Sequence, residues 1–182
     1  MKGVGTKPIE TERLIMRRMS YDDAEMMYKN WTSDPLTARY VTWDKHKDLK
    51  ITEEYVAFKT ANYDDNFFFD WVVELKETGE LVGEIDAVGG SIRDKTVEAG
   101  YCYGSRFWNN GYATEALTAF IKYMFEEVGA EKVMAKHIRT NPASGRVMQK
   151  AGMSYDATLK GYVIDKNTGK REDLVCYSID NS

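Results

Sequence analysis

The sequence predicts a mixed α/β domain built on one largely antiparallel sheet with a parallel crossover, flanked by helices. Three observations predict it. Helical periodicity fills the first third of the chain, a run rich in strand formers follows, and strand, helix, strand, helix and strand then alternate to the end. At 182 residues the chain suits a single domain with a sizeable core.

Residues 1–8 read as a flexible leader and 9–182 as the domain, with no linker or internal repeat. Leu14, Met16 and Arg18 alternate with Arg13, Ile15 and Arg17, a strand pattern. Ser20 and Asp23 have capping-box spacing and open a helix carrying Ala24, Met27, Tyr28 and Trp31 on one face. Asp34-Pro35 opens a short second helix, and Thr52 is expected to cap a third through Tyr55, Val56, Lys59 and Asn62. Phe68–Leu75 and Leu81–Val88 form a hairpin around Lys76–Glu80, and Thr96–Tyr103 adds a strand. The best helix runs from Gly111 to Val128, with Leu117, Phe120, Ile121, Met124, Phe125 and Val128 on one face and Gly129 as its stop. Lys132–His137 is a strand, and a helix runs from Asn141-Pro142 to Gly152. Met153–Tyr162 and Glu172–Ile179 close the chain as two strands around Asp165, Asn167 and Gly169.

Composition excludes several classes. Acidic residues outnumber basic ones 29 to 25, a formal charge of −4, so no broad basic surface exists to coat nucleic acid or anionic membrane. Apolar residues at 43% and charged residues at 30% are those of a globular protein. Cys102 and Cys176 make no disulfide framework and point to a reducing compartment; with only His46 and His137 beside them, no close-spaced zinc pattern arises, so no metal is expected. No apolar run has the length of a membrane span or a signal peptide, and the expected location is cytoplasmic.

The most informative segment is Trp108-Asn109-Asn110-Gly111-Tyr112-Ala113-Thr114-Glu115-Ala116, where a strand hands over to the strongest helix. The first amides of a helix have no internal partner and lie at the positive end of its dipole. Small residues at Gly111 and Ala113 let an anionic group approach that backbone, so a phosphate cradle is one reading and a plain tight turn the other. No Gly-Lys-[Ser/Thr] occurs, which excludes a nucleotide P-loop.

The neighbouring residues sharpen this. The segment resembles the acetyl-CoA signature of the GNAT superfamily of N-acetyltransferases, [Gln/Arg]-x-x-Gly-x-[Gly/Ala], with Trp108 at the first position, Gly111 at the glycine and Ala113 at the last small residue. The run from Phe107 to Ala116 is similar to the Trp-Gly-x-Gly-Tyr-Ala-Thr-Glu-Ala of the Rim-type branch, the ribosomal-protein N-terminal acetyltransferases. Asn109 replaces the first glycine of that run, and Asn tolerates positive φ better than most residues. Glu98-Ala99-Gly100-Tyr101 resembles the family's Glu-Ile-Gly-Tyr strand. The stretch Asn141 to Met153 resembles its second motif, Asn-x-x-Ser-x-[Arg]-Val-x-x-Lys-x-Gly-Phe, and Thr11-Glu12-Arg13-Leu14 its first strand. The likeness spans residues 9–180.

That resemblance implies a seven-stranded, mostly antiparallel sheet whose central parallel strands, here Thr96–Tyr103 and Lys132–His137, splay to admit acetyl-CoA. Main-chain groups near Tyr103 would hold the pantetheine, and amides of Gly111, Ala113 and Thr114 the pyrophosphate, with Trp108, Asn109, Tyr112, Asn141 and Ser144 completing the site. A backbone N–H between Tyr101 and Tyr103 would stabilise the thioester oxygen. Many relatives protonate the leaving thiolate with a tyrosine where this chain has Met148; in the Rim-type branch the motif serine is the proposed acid, here Ser144, against the alternative of simple capping. Asn141 is expected as an N-cap. Glu98 is the first candidate base and Glu84 the second, against a solvated face or an ion pair for each. His137 reads as structural, and a covalent route through Cys102 departs from the family norm of direct transfer. Tyr28, Trp31, Tyr40 and Trp43 are core or an acceptor wall, and Phe67–Trp71 strand packing or the edge of a homodimer. The implied acceptor is a primary amine, with a protein or peptide α-amine ahead of a small-molecule amine; the alternative is an inactive acyl-CoA-binding sensor or partner module, suggested by Trp108, Asn109 and Met148.

Overall fold

The computed structural model describes residues 1–181. One eight-stranded sheet has the order β1 (Ile9–Glu10), β2 (Leu14–Arg17), β3 (Asp70–Leu75), β4 (Leu81–Ser91), β5 (Thr96–Tyr103), β6 (Lys132–Ile138), β8 (Arg171–Asp180), β7 (Ser154–Ile164). Neighbours are antiparallel except β5 and β6, which run parallel across the helical crossover. Seven strands were implied; the eighth is β1, whose Ile9 and Glu10 pair with Met16 and Ile15. Two residues are too few to show a period. The stretch 1–8, expected as a flexible leader, is hydrogen-bonded to the body. Lys2 N–H donates to the Val128 carbonyl at 2.7 Å, the Thr6 hydroxyl to Phe68 at 2.8 Å and the Tyr123 hydroxyl to Gly5 at 2.6 Å.

Strand alternation splits the core into two layers. Trp71, Val73, Val82, Ile85 and Val133 face α4 (Tyr112–Tyr123) and α5 (Pro142–Lys150), packing with Leu117, Phe120 and Met148. Val72, Leu81 and Cys102 face the other way, toward α1 (Ala24–Met27) and α3 (Leu49–Ala61), with Met27, Trp31 and Val56. A π turn at Tyr28–Thr32 and α2 (Pro35–Ala38) lead from α1 to the loop before α3. Fully burying each such side chain contributes about 1.5–3 kcal/mol, so both helical layers are firmly held.

Local signals largely fix the helix starts. Ser20 N–H donates to Asp23 Oδ2 at 2.7 Å, and Leu36 N–H to Asp34 Oδ1 at 2.9 Å. Thr52 does not cap α3: Asp48 does, accepting from Ile51 N–H at 3.2 Å. The buried Thr52 hydroxyl instead meets Thr32 Oγ1 and His46 Nδ1, each at 2.8 Å. Phe67–Trp71 offers no sheet edge, because β3 lies between β2 and β4 and Trp71 is wholly buried. No helix among the described residues is long and apolar enough to cross a membrane.

Candidate active site

Pairing between β5 and β6 stops at Ala99 and Ala135, while β5 continues to Tyr103 and β6 to Ile138. The central strands therefore part. On its other side β5 stays paired with β4, and Gly104 N–H donates to the Val82 carbonyl at 3.0 Å. Antiparallel hydrogen bonds alternate along a strand, so the main-chain groups of Tyr101 and Tyr103 point into the parting. The Tyr103 carbonyl is already engaged, accepting from Trp108 Nε1 at 2.8 Å and Thr37 Oγ1 at 3.2 Å. What remains for a ligand is the N–H of Tyr103 and both main-chain groups of Tyr101. The same bond explains Trp108, whose indole ties the following loop to the strand.

That loop ends at Gly111, the left-handed N-cap of α4 (φ 82°), and Asn109 takes φ 63°. Asn can adopt this region at modest cost, so the departure from glycine preserves the bend. Glu115 N–H reaches the Gly111 carbonyl at 3.0 Å, whereas the amides of Tyr112, Ala113 and Thr114 have no partner among the described residues. A cleft of about 580 Å³ joins loop and parting, and along it lie Tyr103, Trp108, Asn109, Gly111, Tyr112, Ala113, Thr114, Asn141 and Ser144.

Asn141 stands at the N-cap of α5, but its side chain makes no capping bond, and the residue lines the cleft. Ser144 Oγ lies 2.9 Å from the Tyr101 hydroxyl, which is also 3.1 Å from the Ser144 carbonyl. Burial pushes the Tyr101 phenol up to about 12, against the opposing hydrogen bond from Ser144, so it stays protonated at physiological pH. His137 also lines the cleft; its Nδ1 lies 2.8 Å from the Ile138 carbonyl and its ring stacks on Tyr177. A Cβ on Gly145 would meet its Nε2 at 2.6 Å, so α5 sits this close only because residue 145 is glycine. Met148 is buried in the core.

The two candidate bases have different surroundings. Glu98 accepts from Lys136 Nζ at 2.7 Å, and its side chain lies outside the cleft lining. Glu84 is buried opposite Cys102, accepting from the Tyr55 hydroxyl at 3.0 and 3.1 Å and from Cys102 Sγ at 3.4 Å. Beside it Lys59 bridges Asp70 and Asp86, and the Tyr63 hydroxyl donates to Asp70 at 3.0 Å. Burial lifts Glu84 to about 7, opposed by Lys59 and assisted by Asp70 and Asp86. Burial likewise raises Asp70 to about 6 against Lys59. Cys102 is pushed well up by burial and by Glu84, which keeps it a neutral thiol. Tyr101 with Ser144 and Cys102 with Glu84 thus occupy opposite faces of β5, with the parting between them.

At the far end, Tyr40 and Val41 line the cleft while Trp31 belongs to the core. The turn after β7 reaches across to their loop. Asn167 Nδ2 donates to the Arg39 carbonyl at 2.9 Å, and Lys166 pairs with Asp44 at 3.3 Å and bonds the Trp43 carbonyl. Sequence reading overlooked Tyr101, the Lys59 cluster and this clasp. Alternation alone places Tyr101 beside Tyr103 on the α5 side; the others join residues far apart in the chain.

A mixed sheet that parts between two parallel strands, beside a helix whose leading amides line the opening, is the architecture of the acetyltransferase (GNAT) fold. Residues 13–154 match the acetyltransferase (GNAT) domain, and the chain belongs to that family. Among its relatives is the uncharacterized N-acetyltransferase YoaA of Bacillus subtilis, 27% identical over 160 residues, 88% of this chain and 90% of YoaA. A solved GNAT-family acetyltransferase from Bacillus anthracis superposes with TM-score 0.82 at 28% identity, covering 96% of this chain and 98% of that one. RimL, a ribosomal L7/L12 α-N-protein acetyltransferase solved with coenzyme A, shares the fold at TM-score 0.84 and 14% identity, covering 96% of this chain and 98% of its own. The protein is an acetyl-CoA-dependent N-acetyltransferase.

Proposed function

We propose that the acceptor is the α-amine of a protein or peptide N-terminus. The observation that carries this reading is the clasp of Lys166 and Asn167 over the loop holding Tyr40 and Val41, two residues that line the cleft. A slender chain end passes such a portal more readily than a lysine displayed on a folded surface. Base strength agrees: an α-amine near pKa 8 needs only a base titrating near neutrality, whereas a lysine amine near 10.4 is on the order of a thousandth neutral at pH 7.

The partnerless amides of Tyr112, Ala113 and Thr114 fit a diphosphate, and Arg146 and Lys150 add positive charge along the same cleft. Acetyl-CoA supplies an activated thioester there. The Tyr101 and Tyr103 amides stabilise charge on the acyl oxygen. Ser144 gives its proton to the departing sulfur, Tyr101 restores it across their 2.9 Å contact, and solvent water reprotonates the phenolate. Neither carboxylate lines the cleft; we assign the base to Glu84 rather than Glu98 because Glu84 lies directly against the cleft-lining Cys102 and is lifted toward neutrality, whereas Glu98 is ion-paired with Lys136. Glu84 lies behind Cys102, so the amine's proton reaches it through a bridging water.

The free thiols Cys102 and Cys176 suit a cytoplasmic location. A homodimer would use β7, an edge strand of 11 residues with Tyr155, Tyr162 and Ile164 exposed, rather than the two-residue β1. The deciding experiment is a mass-shift screen of N-terminal peptides, lysine-only peptides with blocked termini, and small amines. Acetylation of free termini alone supports the proposal. Acetylation of blocked lysine peptides alone overturns it, and coenzyme binding without turnover on any amine favours the sensor alternative.

A further inference from the structure

Asn109 and Gly111 both take left-handed conformations, so the bend needs an external hold. Arg13, immediately before β2, supplies one from 97 residues away: its Nη1 donates to the Asn110 carbonyl at 3.0 Å. Its Nε donates to Glu115 Oε2 at 2.7 Å, and its own N–H to Glu115 Oε1 at 2.9 Å. The Thr11 hydroxyl donates to the same Oε1 at 2.6 Å, and the Arg13 guanidinium lies 4.8 Å from the Tyr112 ring centroid. Arg13 therefore grips the middle of the bend and the first turn of α4 together, from behind and outside the cleft lining.

A trans peptide directs its C=O and N–H to opposite sides. With the Asn110 carbonyl drawn back onto Arg13, the Gly111 N–H of that peptide is turned forward, toward the cleft that Gly111 lines. A charged donor on the carbonyl also polarises the peptide and strengthens that N–H as a donor. We propose that Arg13 is a positioning residue for coenzyme recognition, locking the Asn110–Gly111 peptide so that its amide joins those of residues 112–114 in a single diphosphate cradle. This rests on the reading that the bend takes the diphosphate of coenzyme A.

Calorimetry with a truncation series tests it, using coenzyme A, 3′-dephospho-coenzyme A and pantetheine on wild type, Arg13→Gln, Arg13→Lys and Glu115→Gln. Arg13→Gln is expected to weaken both diphosphate ligands by about tenfold, the effect of one charge-assisted hydrogen bond, and to leave pantetheine unchanged. Arg13→Lys should recover part of that loss. Glu115→Gln keeps Arg13 but loosens its anchor, and should give a smaller loss confined to the same two ligands even if Arg13→Gln folds poorly. Equal weakening of pantetheine, or no weakening of coenzyme A, overturns the role of Arg13. Wild type that binds pantetheine as tightly as coenzyme A instead overturns the diphosphate reading beneath it.

Discussion

The hydroxyls of Tyr101 and Ser144 lie 2.9 Å apart, one on the end of β5 that has parted from β6 and the other in the first turn of α5. They bring a proton donor and its reserve to the same side of the parting. Ser144→Ala is expected to lower turnover on the order of 10²-fold, as for loss of a general acid, and Tyr101→Phe by about tenfold. Steady-state kinetics checks this, and coenzyme affinity should stay within about twofold in both variants.

Glu84 titrates near 7, so its base form accumulates as pH rises through neutrality. At saturating acceptor, where ionisation of the free amine drops out, the profile of kcat should climb between about pH 6 and 8, and Glu84→Gln should remove that limb. Lys59 opposes the raised pKa, so Lys59→Met should move the limb to higher pH by about one unit. A limb that stays in place in both variants excludes Glu84 as the base.

The same burial makes a stability prediction with a fixed sign. Glu84 and Asp70 are raised above their ordinary values, so the folded chain holds protons that the unfolded chain has released. Their contribution is full below the ordinary carboxylate range and is lost as pH rises through about 6 for Asp70 and about 7 for Glu84. Relative to wild type, Glu84→Gln should therefore be more stable at pH 8 than at pH 5, by on the order of 1–3 kcal/mol. Thermal melts at the two pH values measure the difference.

Opening the clasp should act on the acceptor alone. Replacing Lys166 and Asn167 together by Ala removes the links to Asp44, Trp43 and Arg39. The KM for the acceptor should change several-fold while coenzyme affinity holds, because these residues lie away from the cradle. Calorimetry beside acceptor titration separates the two effects.

Much of the fold was legible in the chain because period-two strands give way to a 3.6-residue repeat between clear glycine stops, as from Thr96 through Gly129. The cradle was legible for the same reason: backbone built it, and glycine and alanine mark where backbone is exposed. Thr52 misled because Asp48, one turn earlier, is the stronger cap. Glu98 ranked ahead of Glu84 in the sequence because it lies in the strand that resembles the family motif, while alternation alone suits both. Register separates them, setting Glu84 opposite Cys102 under α3 and Glu98 opposite Met134 beside Lys136. Lys59 looked like an ordinary polar helix position, and nothing local reveals that Asp70 and Asp86 wait beneath it.

Only four residue pairs, Thr96–Ala99 against Lys132–Ala135, stitch the strand bearing the C-terminal hairpin to the main sheet. A coenzyme bound across that short seam stabilises the folded chain by mass action. Heat tolerance and amide protection around the seam are then expected to rise with acetyl-CoA concentration.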